Sequence, residues 1–434
     1  MRWKSERYTG WGRAIEAEGD LARPERISAL RDLPPTPAFG ARRSYGDACL
    51  NSDGRAIDMT RLDRILGFDP ETGLIEVEAG VPLGELARIF VPRGWIPTVM
   101  PGTGFATVGG AIGMDVHGKN HHRDGAFGAH VTSIRLIHNG KVREITPEKN
   151  ATLFNATIGG LGQTGLILSA TLQMTPCSGE AMSVRERRAD DLDAHLALLD
   201  ASSAPYTVGW VDATAKGNTL GRGIVEEAEH SLTPPPKPDK PKSVPFNAPG
   251  FALSKPIVKA FNARYFGRIP EGGRTRIRTI PDFFFPLDRV HQWNRLYGKR
   301  GFHQFQCVLP MAEVASLRAM LETIANSGLA SPLAVLKRLG PEGAGLMSFP
   351  MEGYTLAVDF PNRDKALGLI RTLGDQTAKA GGRVYLAKDS LADGATIRAM
   401  YPDHAKWVAE TTKADPERLL ETDMIRRLGL RSTS

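Results

Sequence analysis

The sequence predicts an α+β fold of two linked domains, and three observations predict it. The chain has 434 residues, more than the roughly 250 to 300 at which a single core stops growing. Its first half alternates short β-rich runs with glycine turns. Its second half runs βαββαβ, the order of a split βαβ sheet with helices on one face.

The elements follow in order. Leu74 to Glu78 (LIEVE) alternates as a strand does. Leu83, Leu86, Ile89 and Phe90 fall at helical spacing, and Gly94 stops the helix. Ile134 to His138 and Lys141 to Ile145 read as strands joined by Asn139-Gly140, a pair that takes the positive φ angles of a tight hairpin. Leu232 to Pro245 (LTPPPKPDKPKSVP) lacks apolar periodicity and predicts a mobile surface loop. Phe302 to Leu309 predicts a strand, and Val314, Leu317, Leu321 and Ile324 line a helix that ends before Gly328. Leu333 to Leu336 and Tyr354 to Phe360 predict strands, Lys365 to Ala380 a helix and Arg383 to Ala387 a last strand.

The totals narrow the class. A composition 41% hydrophobic and 24% charged is that of a soluble globular protein. No apolar run reaches the roughly 18 residues of a membrane span, and the opening MRWKSERYTG has charges where a signal peptide is apolar. Cys49, Cys177 and Cys307 stand far apart and form no disulfide framework. A cytoplasmic location is expected. The net charge of +7 favours anionic partners. The basic residues are dispersed, however, with no aromatic-basic nucleic-acid module.

Three glycine-dense segments carry the candidate chemistry. In Gly40-Ala41-Arg42-Arg43-Ser44-Tyr45-Gly46-Asp47, small residues let backbone N–H groups approach a ligand and two arginines add positive charge, which suits a diphosphate and also an ordinary exposed turn. Pro101-Gly102-Thr103-Gly104-Phe105-Ala106-Thr107-Val108-Gly109-Gly110-Ala111 offers a second backbone approach, or a connection between packed strands. Leu161 to Ile167, with Gly162 and Gly165, enters an apolar strand. Between them, His117, His121 and His122 match no HExxH or Cys/His zinc spacing. Metal binding is not expected, whereas hydrogen bonding to a ring or a substrate oxygen is.

Together these segments resemble the vanillyl-alcohol-oxidase type of FAD-binding flavoenzymes, and within them the polyprenyl-phospho-ribose oxidases. The resemblance is carried by RSYGD (Arg43 to Asp47), IDMT (Ile57 to Thr60), TVGGAI (Thr107 to Ile112), HGKNHH (His117 to His122), WNRLYG (Trp293 to Gly298), AKDS (Ala387 to Ser390) and the D-M-x-R-R-L ending at Asp423 to Leu428. It covers the chain from about Pro37 onward.

The resemblance implies a two-part FAD-binding domain, residues 1–181 and 383–434, with an inserted α+β substrate-binding cap over 182–382. It implies that Gly40 to Asp47 and Pro101 to Ala111 (Pro101, Gly102, Thr103, Thr107, Gly109, Gly110 and Ala111 foremost), with Gly162, Gly165, Ile167 and Tyr385, bind FAD. His117 and Gly118 then reach the flavin, and Lys119, Trp210, Phe284, Gln306, Lys337 and Lys388 the substrate. Lys388, His117 and Tyr45 are the expected catalytic residues, with Lys388 as proton acceptor or as a charge beside the reduced flavin. An ion pair of Lys388 with its neighbour Asp389 at the surface is the competing reading.

Covalent members of the superfamily often carry a histidine where this chain has Arg43, so non-covalent FAD is expected. Phe284 stands where a tyrosine is anticipated, and Ala357 where a cysteine is. The implied reaction oxidises C2 of a polyprenyl-phospho-β-D-ribose, with a nicotinamide-dependent reductase completing the inversion. The substrate's lipid, the positive charge and the Pro/Lys loop suit peripheral contact with the inner membrane. A ligand-free linker explains the same loop. The alternatives are a soluble alditol or aldonolactone oxidase and a non-catalytic flavin-binding partner protein.

Overall fold

The computed structural model describes residues 1–237 and 240–432. Among the described residues three large sheets follow one another along the chain, beside one two-stranded pair. In the first, Lys4–Thr9 and Glu16–Ala22 form an antiparallel pair, Arg55–Asp58 runs parallel to Glu16–Ala22, and Ala38–Phe39 completes the edge. The second runs in the order Ile65–Phe68, Leu74–Glu78, Leu166–Pro176, Val131–His138, Lys141–Ile145, with Trp95–Pro97 beside the end of the central strand. The predicted hairpin is there, with φ of 47° at Asn139 and 69° at Gly140. Helix Leu83–Phe90 turns Leu83, Leu86 and Phe90 into the core, and Gly94 follows in the left-handed conformation.

The third sheet has eight strands, in the order Arg274–Thr279, Ala181–Ala189, Gly223–Ser231, Tyr206–Val211, Ala334–Leu339, Gly353–Pro361, Phe302–Pro310, Arg383–Val384. The last four, with helices Val314–Ser327 and Asp364–Lys379, are the split βαβ unit read from the sequence. The first four repeat its order in mirror sequence, so two such units join edge to edge where Tyr206–Val211 pairs with Ala334–Leu339.

Period-2 alternation then divides the faces. Phe305, Cys307, Leu336, Leu356 and Val358 point into the main core with Leu192, Leu196, Leu317 and Leu321 of the covering helices. Gln304, Gln306, Val335, Lys337 and Ala357 point the other way, into a cavity.

Two expectations need correction. Only Arg383–Val384 of the expected last strand pairs, because the chain turns at Tyr385 to Ser390; that short strand lies past residue 382, yet it hydrogen-bonds with Phe302–Pro310. The Pro/Lys segment is not bare loop throughout. Lys242–Ser243 pairs with Val290–His291, and Pro236 and Lys237 reach the cavity wall. Pro238 and Asp239 lie outside the described residues. Among the described residues no helix is long and apolar enough to cross a membrane.

Candidate active site

A cavity of about 860 Å³ lies between the glycine-rich loops and the open face of the eight-stranded sheet, a volume near the upper end for small-molecule and cofactor sites. From the first loop, Gly40, Ala41, Arg42, Arg43, Ser44 and Tyr45 line it; from the second, Pro101, Gly102, Thr103, Thr107, Gly109 and Gly110; from the third, Gly162, Gly165 and Ile167. His117, Gly118, Lys119, Trp210, Phe284, Gln306, Lys337, Tyr385 and Lys388 line it too.

Gly46, Asp47 and Ala111 stand outside the wall, each for a packing reason. A Cβ on Gly46 would lie 1.9 Å from the Asp389 carbonyl. Asp47 is turned away to receive Arg427 at 2.7 and 2.9 Å. Ala111 is fully buried in the core of the second sheet.

The loops are shaped for close backbone approach. Gly40 presses on Thr107, whose Oγ1 would be 2.0 Å from an added Cβ, so a side chain there would force the first two loops apart. At Gly102 and Gly162 an added Cβ would meet nothing and would occupy open space. Arg42, Asp115 and Leu161 hold positive φ without being glycine, strain of the kind that collects at binding sites.

Arg43 is gripped between Trp11 and Phe105, 4.1 and 4.4 Å from the ring centroids, and its buried Nε has no partner. Asp288, beyond the end of helix Ile280–Phe284, ties the second loop to the middle of the chain by accepting from Thr103 Oγ1 at 2.8 Å and from the Gly104 amide at 2.7 Å. These observations fit FAD: backbone cradles, a cation with an unused donor, and room. The side chains present match the cofactor the segments imply.

Three lysines converge on the other end. Lys388 Nζ lies 3.6 Å from the centroid of the Tyr45 ring, Lys119 donates to the Phe283 carbonyl, and Lys337 donates to the Gly118 carbonyl at 3.5 Å. Each is only partly covered by surface, because each faces the cavity. Each nevertheless sits deep enough that desolvation lowers its pKa, to about 7 for Lys388 and Lys119 and to about 8 for Lys337.

His117 is buried (7% exposed), and burial together with Lys337 holds its pKa well below the usual value, so the ring is neutral. Gln306 Nε2 donates to its Nε2 at 3.1 Å, which leaves the proton on Nδ1, and Nδ1 has no partner. Tyr385 fixes the ring from the side, 5.3 Å away, with its own hydroxyl on the Met114 carbonyl at 3.1 Å. The neighbouring histidines are structural. His121 Nδ1 accepts from the Gly340 amide and His122 Nε2 donates to the Ala204 carbonyl.

Lys388 does not pair with Asp389, whose carboxylate receives Arg427 at 2.8 Å. The carboxyl that acts on Lys388 is Asp359, which sequence reasoning missed. Asp359 is fully buried, faces Gln304 in the strand register, and accepts from Gln304 Nε2 and, at 3.1 Å, from the Tyr297 hydroxyl. Desolvation raises its pKa to about 7, and it pulls that of Lys388 upward. WNRLYG holds Tyr297, but nothing local in the sequence joins it to Asp359.

Residues 29–146 match the model of a family described as an FAD binding domain. Over 98% of its length the chain is 37% identical to decaprenylphosphoryl-beta-D-ribose oxidase of Mycolicibacterium smegmatis, covering 98% of that protein. It is 31% identical to L-gulonolactone oxidase of Mus musculus over 45% of this chain and 47% of that one, and 28% identical to D-lactate dehydrogenase of Anaerostipes hadrus over 38% and 36%.

Proposed function

Because the chain belongs to the decaprenylphosphoryl-β-D-ribose oxidase family and is an FAD-dependent oxidoreductase, we propose that it oxidises C2 of a polyprenyl-phospho-β-D-ribose to the ketone. FAD, held non-covalently by the three glycine-rich segments, Tyr385 and His117, supplies the hydride-accepting chemistry when bound. The observation that carries the reading is Lys388, a lysine with a pKa of about 7 on the wall of the same cavity.

At neutral pH much of Lys388 is unprotonated, so Nζ can take the proton of the sugar hydroxyl as the carbonyl forms. Tyr45, beneath it, keeps Nζ over the cavity. His117 offers its Nδ1–H to a ligand oxygen. Lys337, with the higher pKa of about 8, keeps most of its positive charge at neutral pH for an anionic substrate, while Lys119 is held on the Phe283 carbonyl at the same wall. Trp210 and Phe284 give apolar wall for the sugar or the start of the lipid. The ketone is then a substrate for a nicotinamide-dependent reductase that returns the opposite configuration, and the lipid keeps the enzyme at a membrane surface.

The test is an anaerobic titration of the purified, FAD-loaded protein with a polyprenyl-phospho-ribose, followed by the flavin absorbance. Bleaching at micromolar additions is expected, with none from free alditols or aldonolactones. The reverse pattern would make the protein a soluble sugar or lactone oxidase. Bleaching by neither donor would favour a binding role without catalysis.

A further inference from the structure

A band of apolar side chains lies in open solvent beside the cavity. Phe246 and Phe251 are each 69% exposed, Phe261 50%, Ile257 44% and Leu296 43%. Leaving several large apolar groups uncovered together marks a surface that meets something else.

The band is held in shape. Arg295 donates to the carbonyls of Val244 and Pro245 at 3.2 and 2.7 Å, and its own carbonyl accepts from the Ala248 amide, which fixes the stretch carrying Phe246. The Ser254 amide closes a turn on the Phe251 carbonyl, and Arg363 donates to the Gly250 carbonyl at 3.0 Å. Helix Lys255–Gly267 then presents Ile257, Phe261 and Arg264 outward at positions four and three apart.

The inner side of that helix belongs to the cavity region. Asn262 donates to Asp212 at 2.7 Å, and Tyr265 packs on Trp210 with ring centroids 4.7 Å apart, both rings on the cavity wall. One helix therefore lines the site with one side and shows phenylalanine to solvent with the other.

Charge selects the occupant. Residues 240–270 contain four lysines and two arginines and no Asp or Glu. Among the described residues no carboxylate pairs with Lys242, Lys255, Lys259 or Arg264. Exposed aromatics ringed by unpaired cations are the two elements of an interfacial anchor: the apolar groups enter the headgroup boundary and the cations meet anionic lipid.

We propose that this face docks the enzyme on an anionic lipid bilayer and brings the cavity to the headgroup level. The inference deepens the lipid-substrate reading and rests on it for its purpose.

It is tested by co-sedimentation of the FAD-loaded protein with phosphatidylcholine vesicles, with and without phosphatidylglycerol. Phe251→Ser/Phe261→Ser and Lys255→Glu/Lys259→Glu variants are run beside it. The parent is expected to sediment with anionic vesicles only, and less so as salt is raised. Each double variant should lose roughly tenfold in binding while keeping its FAD and its rate on a short-chain, water-soluble substrate analogue.

A parent that stays in the supernatant with both vesicles would overturn the proposal, as would variants that bind like the parent. So would a parent that runs as a dimer on gel filtration while the phenylalanine variant runs as a monomer, since the band would then be a self-association face. Vesicle binding without flavin bleaching by polyprenyl-phospho-ribose would leave the docking face standing and remove the substrate. Bleaching without vesicle binding would do the opposite.

Discussion

Lys388 has two chemically distinct ways to matter, and one pair of substitutions separates them. As a proton acceptor it must lose its proton near pH 7, which enclosure allows; as a fixed charge it must not. Lys388→Ala removes both and should slow anaerobic FAD reduction by roughly a hundredfold or more, with FAD still bound. Lys388→Arg keeps a charge that does not ionise in this range. If Lys388 is the base, the arginine variant is as slow as the alanine variant in stopped-flow reduction; if it is a charge, much of the rate returns.

The groups around Nζ fix the direction of the pH dependence. Burial lowers the Lys388 pKa, Asp359 raises it and Lys337 lowers it further, with the Tyr45 ring beneath. With a basic lysine required, reduction speeds up as pH rises through about 7. Asp359→Asn removes the only one of these influences that holds the proton on, so the rise should move to lower pH. A rise that stays in place, or moves upward, would show that Asp359 does not act on Lys388.

At the scale of elements, the second glycine loop makes a sharp claim. Nothing lies within 4 Å of a Cβ built on Gly102, which lines the cavity. A Cβ there meets no protein atom and takes space on the cavity wall instead. Gly102→Val should fold with a Tm close to the parent's and bind FAD about 1 to 3 kcal/mol more weakly, read as a lower ratio of flavin to protein absorbance. A variant that retained full flavin would remove this loop from the cofactor site.

This scale also shows what could be read from the chain alone. Leu74–Glu78 and the Val131–His138 hairpin were legible because one face is apolar and the turn is Asn-Gly. The second split βαβ unit was not. In Ala181–Ala189 (AMSVRERRA) one face meets a charged cavity, with Glu186 on its wall, so the usual polar-out alternation is blurred. Glu16–Ala22 (EAEGDLA) lies between Lys4–Thr9 and Arg55–Asp58 in the first sheet but has little β propensity. The glycine loops and lysines of the site were legible as motifs. Asp359 was not, because its role depends on the register that sets it opposite Gln304, and register comes from pairing rather than from local sequence.

At the scale of the whole molecule, Arg427 closes the structure. It donates to both oxygens of Asp47 at 2.7 and 2.9 Å, to Asp389 at 2.8 Å and to the Ala392 carbonyl at 2.8 Å. One side chain from the last helix thus joins the end of the first glycine loop to the residue after Lys388. Both carboxylates are nearly fully buried, and burial already holds the pKa of Asp47 above the usual range. Arg427→Met leaves two buried carboxylates without their cation, a change that costs about 3 kcal/mol or more and lowers Tm by roughly 5 °C or more.

Its neighbour gives the comparison. Arg426, with its side chain 43% exposed, pairs with Asp423 and donates to Asn51 Oδ1 at 2.7 Å, and because it leaves no carboxylate as deeply buried without its cation, Arg426→Met should cost about 1 kcal/mol, less than Arg427→Met. The pH dependence checks the cause. A carboxyl whose pKa is raised in the folded state prefers its proton there, so its burden on stability is small at low pH and grows as pH rises through the folded pKa. The Tm gap between Arg427→Met and the parent should therefore narrow from about pH 8 toward about pH 5, as the pH comes down toward the ordinary carboxylate range at roughly 4. A gap that is constant with pH would mean that Arg427 acts through packing alone.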